Sequence, residues 1–157
     1  MTEKPFSIGA HVERAVTGPT WHGDALGQLL ADVTHEEARA RLAPGLHSIA
    51  ELVGHIGAWA AIAEERLARH TGITPVEVDW PTVDASTADA WRAAIADLSA
   101  CHASLARAAG ALDAAALAAR LPGETHSADV MLRGVTEHAA YHGGQVALLK
   151  KLLRQRG

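Results

Sequence analysis

Residues 131–153 read MLRGVTEHAAYHGGQVALLKKLL. Within them Met131, Val135, His138, His142, Val146, Leu149 and Leu153 follow one another at steps of 4, 3, 4, 4, 3 and 4. That period belongs to one face of an α-helix. Lys150, Lys151 and Arg154 fall in the last turns, where cations complement the helix dipole. The spacing predicts a long final helix over about 127–154. His138 and His142 occupy slots on its apolar stripe, one turn apart, so both imidazoles leave the same face.

Working back along the chain, the same period recurs. Ser48 and Glu51 have capping-box spacing ahead of an apolar run, which starts a helix over about 49–70, with Gly72 as its stop. Leu52, His55, Trp59 and Ile62 form its stripe, so His55 also takes a core-facing slot. A third helix over about 88–110 carries Trp91, Ile95, Leu98, Leu105 and Leu112 inward. Leu26, Leu29, Leu30 and Val33 suggest a first helix over about 21–33, behind the break at Gly18-Pro19. Short helices are expected at 35–42, where Thr34 and Glu37 repeat the capping spacing, and at 113–120. Residues 73–86, with Pro75 and Pro81, read as a loop, either a connector or a cover over a site mouth. Period-2 alternation is absent. The expectation is an all-α four-helix bundle in one domain spanning residues 1–157, with extra short helices.

Composition narrows the functional classes. The apolar fraction is 48% and the charged fraction 20%, which excludes a disordered chain. A net charge of -4 argues against nucleic-acid phosphates as the main partner. One cysteine, Cys101, excludes an internal disulfide framework and a Cys-rich zinc module, and a lone thiol suits a reducing cytoplasm. Cys101 itself reads as a packing residue. The uncharged run Leu52 to Ala63 is too short to span a membrane, and the N-terminal residues lack the apolar stretch of a secretory signal.

The chain holds ten histidines. A single His on an apolar face is more often a hydrogen-bonded core residue than a ligand. Three inward imidazoles on two packed helices are different, because a shared metal ion satisfies all of them at once. His55, His138 and His142 are therefore the candidate ligands. Three protein ligands with open positions describe a catalytic rather than a structural site. The motif HAAYH lacks the Glu of an HExxH zinc protease, and Glu137 stands one step off the His138 face. Gln145 lies near the histidine face and Glu51 one turn before His55; each is a candidate to orient a ligand. His22 and His47 near helix starts are candidates to line a cleft. His102, on the face of Leu98 and Leu105, is level with His55 if the second and third helices form an antiparallel hairpin. His11, His35, His70 and His126 are expected in solvent.

The stretches HSIAELVGHIGAW at 47–59 and LRGVTEHAAYHGGQVALLKK at 132–151 resemble the DinB-like (DinB/YfiT-like) family, and GPTWHGDALGQLL at 18–30 resembles one branch of it. The resemblance covers about residues 18–153. It implies a four-helix bundle with a divalent metal held by His55, His138 and His142 near one end of an internal cleft. The family includes transferases and isomerases that use a low-molecular-weight thiol, among them bacillithiol, mycothiol and glutathione. The implied function is a metal-dependent enzyme, such as a thiol-dependent S-transferase acting on small electrophiles. A metal-dependent hydrolase and a non-enzymatic metal-binding module of the stress response are the alternatives. Zinc, nickel and iron all suit three imidazoles. The expected partners are a small-molecule substrate and a second copy of the chain.

Overall fold

Side-chain caps set where the helices begin. In the computed structural model, which describes residues 7–69 and 76–156, α1 (Ile8–Thr17) starts at Ser7, whose Oγ accepts the Ala10 N–H at 3.2 Å. The short α2 (Leu26–Leu30) and α3 (His35–Arg39) follow. At α3 the Thr34 hydroxyl accepts the Glu37 N–H while Glu37 accepts the Thr34 N–H at 2.9 Å, the expected capping box. Ser48 and Glu51 repeat it at the head of α4 (Ile49–Arg69), where the Ser48 N–H donates to Glu51 Oε2 at 2.8 Å. Then come α5 (Val76–Asp79), α6 (Ala88–Gly110) capped by Thr87, α7 (Ala114–Ala118) capped by Asp113, and α8 (Ala128–Arg154) capped by Ser127. Each such cap is worth about 1 kcal/mol. Among the described residues there is no strand, only a bridge between Arg120 and Ser127.

The four bundle helices are α1, α4, α6 and α8. α4 packs on α6 and α8, and α1 packs on the same two, so α1 and α4 stand across one diagonal and α6 and α8 across the other. The sequence reading placed the first bundle helix at 21–33, and the structure corrects it. α1 takes that place with Val12 and Val16 buried. Its close approach to α6 needs Gly9, where a Cβ would stand 2.4 Å from the Ala106 carbonyl oxygen. Within 21–33 only Leu26–Leu30 is helical; Gly23 has φ 134°, a conformation outside the helix, and Trp21 is 98% exposed. The apolar residues of that stretch are nevertheless inward, since Leu26, Leu30 and Val33 are buried.

The loop expected at 73–86 also needs correction, because Val76–Asp79 forms one helical turn. Residues 73–75 and the expected stop Gly72 lie outside the described residues. A proline just ahead of a helical turn removes no bond the turn would make. The segment after α5 lies close against α4: a Cβ on Gly54 would be 2.4 Å from Val83 Cγ2.

The core falls into two apolar clusters. One gathers Leu26, Leu30, Leu52, Ile56, Trp91, Leu98 and Val146. The other gathers Val12, Leu105, Leu121, Met131, Leu132 and Val135. Their junction is polar. On α6, His102 stands between Leu98 and Leu105; on α8, His138 stands between Val135 and Ala139; on α4, His55 is adjacent to Ile56. The C-terminal end of α8 is strapped to the α2–α3 segment, with Arg154 on Asp32 at 2.9 Å and on Glu37 at 2.7 Å. No helix among the described residues is long and apolar enough to cross a membrane.

Candidate metal centre

α4 and α8 pack side by side, and their stripes bring His55, His138 and His142 into one cluster. One ring nitrogen from each lies within 4.8 Å of those of the other two. The ring centroids are 4.7, 4.9 and 4.5 Å apart, close to an equilateral triangle. His55 is 6% and His142 8% exposed.

The tautomers follow from the partners. The Asp79 carbonyl oxygen can only accept, and it stands 2.7 Å from His55 Nδ1, so that nitrogen carries the proton and donates it. His142 Nδ1–H donates likewise to Gln145 Oε1 at 2.7 Å. That leaves Nε2 as the nitrogen each of these rings can offer to a metal. His138 Nε2 lies 2.9 Å from His55 Nε2. His138 Nδ1 is buried without a hydrogen-bond partner. Convergent imidazole lone pairs fit a shared divalent cation, which removes their mutual repulsion and the cost of burying them unpaired. Burial, reinforced by His142 and His55, pushes His138 down to about 4, and burial also lowers His142. These two rings are thus neutral and ligand-ready at pH 7.

Two residues of the site carry no signal in the helical pattern. Asp79 Oδ1 accepts the Trp59 Nε1–H at 2.6 Å and lies 3.2 Å from His55 Nδ1, so one carboxylate braces both His55 and Trp59. Trp80 is stacked between His55, at 3.8 Å and 4°, and His47, at 3.7 Å and 10°. It roofs the cluster. The one sequence hint was the length of the loop that contains them.

The other candidates are distributed as follows. Gln145 sits directly on His142. Glu51 caps α4 and pairs with Arg41; of the histidines it approaches His47, at 3.8 Å. His47 reaches the cluster by stacking on Trp80. His22 is exposed and lines a cleft of about 190 Å³ with Leu29 and Gly143 that includes none of the three imidazoles. His102 is 1% exposed, donates from Nδ1 to the Leu98 carbonyl at 3.1 Å, and keeps a buried Nε2 without a partner. It is not part of the converging group, and burial lowers its pKa. His11, His35 and His126 are half-buried rather than in solvent, and His126 faces Glu124 at 3.6 Å. His70 lies outside the described residues. Burial, with Asp97 and Glu64 nearby, pushes the Cys101 thiol up, which leaves it unactivated.

No curated protein and no solved structure matches the chain. The sequence profile of the DinB superfamily matches residues 20–146, a span that contains α4, most of α8 and all three clustered histidines. Covering most of the chain and its histidine centre, that match shows that the chain belongs to the DinB superfamily.

Proposed function

We infer that the chain binds one divalent cation through Nε2 of His55, His138 and His142 and serves as a metal-dependent enzyme on a small organic molecule. The observation that carries this reading is the gathering of one ring nitrogen each from His55, His138 and His142 within 4.8 Å of one another, with Asp79 and Gln145 holding Nδ1 of two of the rings. The chemistry supplied by a bound divalent cation is Lewis acidity, which brings the pKa of a thiol or a water toward neutrality. The protein's own part is positional. Gln145 and Asp79 hold two rings in the metal-binding tautomer. Trp80 and Trp59 wall the cluster with aromatic surface and keep bulk water from His55. Cys101 is not activated as a nucleophile, which favours an external one, and transfer from a low-molecular-weight thiol to a small electrophile is the reading we put forward. Zinc, nickel and iron are the candidate ions, the cytoplasm the proposed compartment and a homodimer the proposed assembly. Elemental analysis of untagged protein reconstituted with zinc or nickel tests the centre. One ion per chain is expected, and a content near zero overturns it. Turnover of an electrophile with and without a low-molecular-weight thiol then tests the reaction class.

A further inference from the structure

The outward face of α8 carries a second pattern, opposite the stripe that holds the histidines. Glu137, Tyr141, Gly144, Leu148 and Lys151 follow at steps of 4, 3, 4 and 3, and all five are exposed. Tyr141 is 67% and Leu148 58% exposed, on the face where a bundle helix ordinarily turns polar residues to water. Gly144 lies between them. Glycine weakens a helix interior, and the chain's own packing does not call for it here, since a Cβ would meet nothing within 4 Å. Among the described residues neither Glu137 nor Lys151 has an ion-pair partner, and Arg133, one turn before Glu137, is taken by Asp129 at 2.8 Å. Trp21, 98% exposed, shares the wall of a crevice with Glu137 and Ala140 and so flanks the same face.

The stripe is its own complement. Counted from Gly144, Glu137 stands seven residues before and Lys151 seven after, while Tyr141 stands three before and Leu148 four after. A two-fold axis beside Gly144 brings up a second α8 running the opposite way. It sets the partner's Lys151 against Glu137, the partner's Leu148 against Tyr141, and glycine against glycine where the helices are closest. That axis also keeps each flank of the helix with itself. Ala140 and Lys151 are eleven residues, or three turns, apart and share a flank, so Trp21 comes beside the partner's Lys151. Parallel helices would instead set acid against acid and base against base.

We propose that this stripe is an isologous interface, on which α8 of a second copy of the chain packs antiparallel about Gly144. The proposal rests on the homodimer reading and names the surface that makes it. Exposed aromatic and aliphatic side chains of this kind, rimmed by charges, are what such contacts bury. Tyr141 also stands edge-on to the His142 ring at 4.9 Å, so the second copy closes over the residue beside a candidate ligand.

The test is sedimentation of the full chain over a dilution series, for the parent and for Leu148→Glu, Glu137→Lys, Lys151→Glu and the double variant Glu137→Lys with Lys151→Glu. The parent is expected to be a dimer at micromolar concentration. Leu148→Glu should be a monomer with the parent's circular dichroism, because the side chain it replaces is exposed and outside the core. Each single reversal creates two like-charge contacts by symmetry and should weaken the dimer at least about tenfold. The double variant should return the dissociation constant to within about threefold of the parent, since each pair is restored with its signs exchanged. A monomeric parent overturns the proposal and the homodimer reading together. A dimer that Leu148→Glu leaves unchanged overturns this face while the homodimer stands. Single reversals without effect, or a double variant no tighter than the singles, overturn the antiparallel pairing.

Discussion

Replacing Gln145 by alanine isolates one link between the helix pattern and the metal centre. The His142 Nδ1–H donates to Gln145 Oε1 at 2.7 Å, and that bond fixes which nitrogen faces the cluster. Without it the ring can rotate, and the Nε2 lone pair is no longer held in place. Losses of this kind typically cost about 10–100-fold in metal affinity, or about 1.4–2.8 kcal/mol. With zinc a thousandfold above the parent Kd, binding stabilises the fold by about 4.1 kcal/mol; a variant thirtyfold weaker keeps about 2 kcal/mol. For a chain of this length a difference of about 2 kcal/mol is a shift of roughly 4–8 °C in Tm. The assay has two parts: competition for zinc against a chromophoric chelator at pH 7.5, and thermal melts with and without zinc. The zinc-free melt of the variant is the reference, because losing this partly buried hydrogen bond itself costs about 1–3 kcal/mol, and the zinc-induced rise in Tm is what should shrink. Gln145→Glu should bind zinc at least as tightly as the parent, since a carboxylate accepts the same proton more strongly. If Gln145→Ala binds zinc within twofold of the parent, the assignment of tautomer and orientation to this contact is wrong.

Alanine at His55, His138 or His142 should each reduce zinc affinity far more than Gln145→Ala does, whereas His35→Ala should leave it unchanged, since His35 lies beside Glu36 and away from the cluster; the same chelator competition reads both. Asp79→Ala removes the acceptor of the Trp59 Nε1–H but leaves the carbonyl that holds His55, so zinc affinity should fall by about tenfold at most while tryptophan emission changes. The Lys150 and Arg154 hydrogen bonds hold the Asp32 carboxyl down to about 2, so its contribution to stability is fully present above its ordinary 3.8 and is lost as pH falls toward 2. Acid denaturation followed by circular dichroism should show Asp32→Asn losing less stability than the parent across that window, and identical acid limbs would contradict the pairing. Light scattering at micromolar concentration should give twice the 16.4 kDa of one chain, and a monomer mass would refute the proposed dimer.

How much of this was legible in advance depends on the distance over which each feature is encoded. The faces of α4, α6 and α8 follow from spacing alone, because a helix converts a step of three or four residues into a shared direction. Hence His138 and His142 on one stripe, and His55 on another, could be read directly, along with the caps at Thr34 and Ser48. The same local rule failed at the N-terminal end. α1 is ten residues long, carries Gly9, and gains its stability from packing on α6 and α8. The apolar run around Leu26 has the right period but is cut short by Gly23. Asp79 and Trp80 lie 24 and 25 residues beyond His55 in a proline-flanked segment with no periodicity of its own. Their contacts with His55 exist only because the segment after α5 folds back along Gly54. Which residues share a helix face is set by local backbone geometry and can be read from spacing. Which faces meet, and which loop closes over them, depends on long-range packing that leaves no period in the chain.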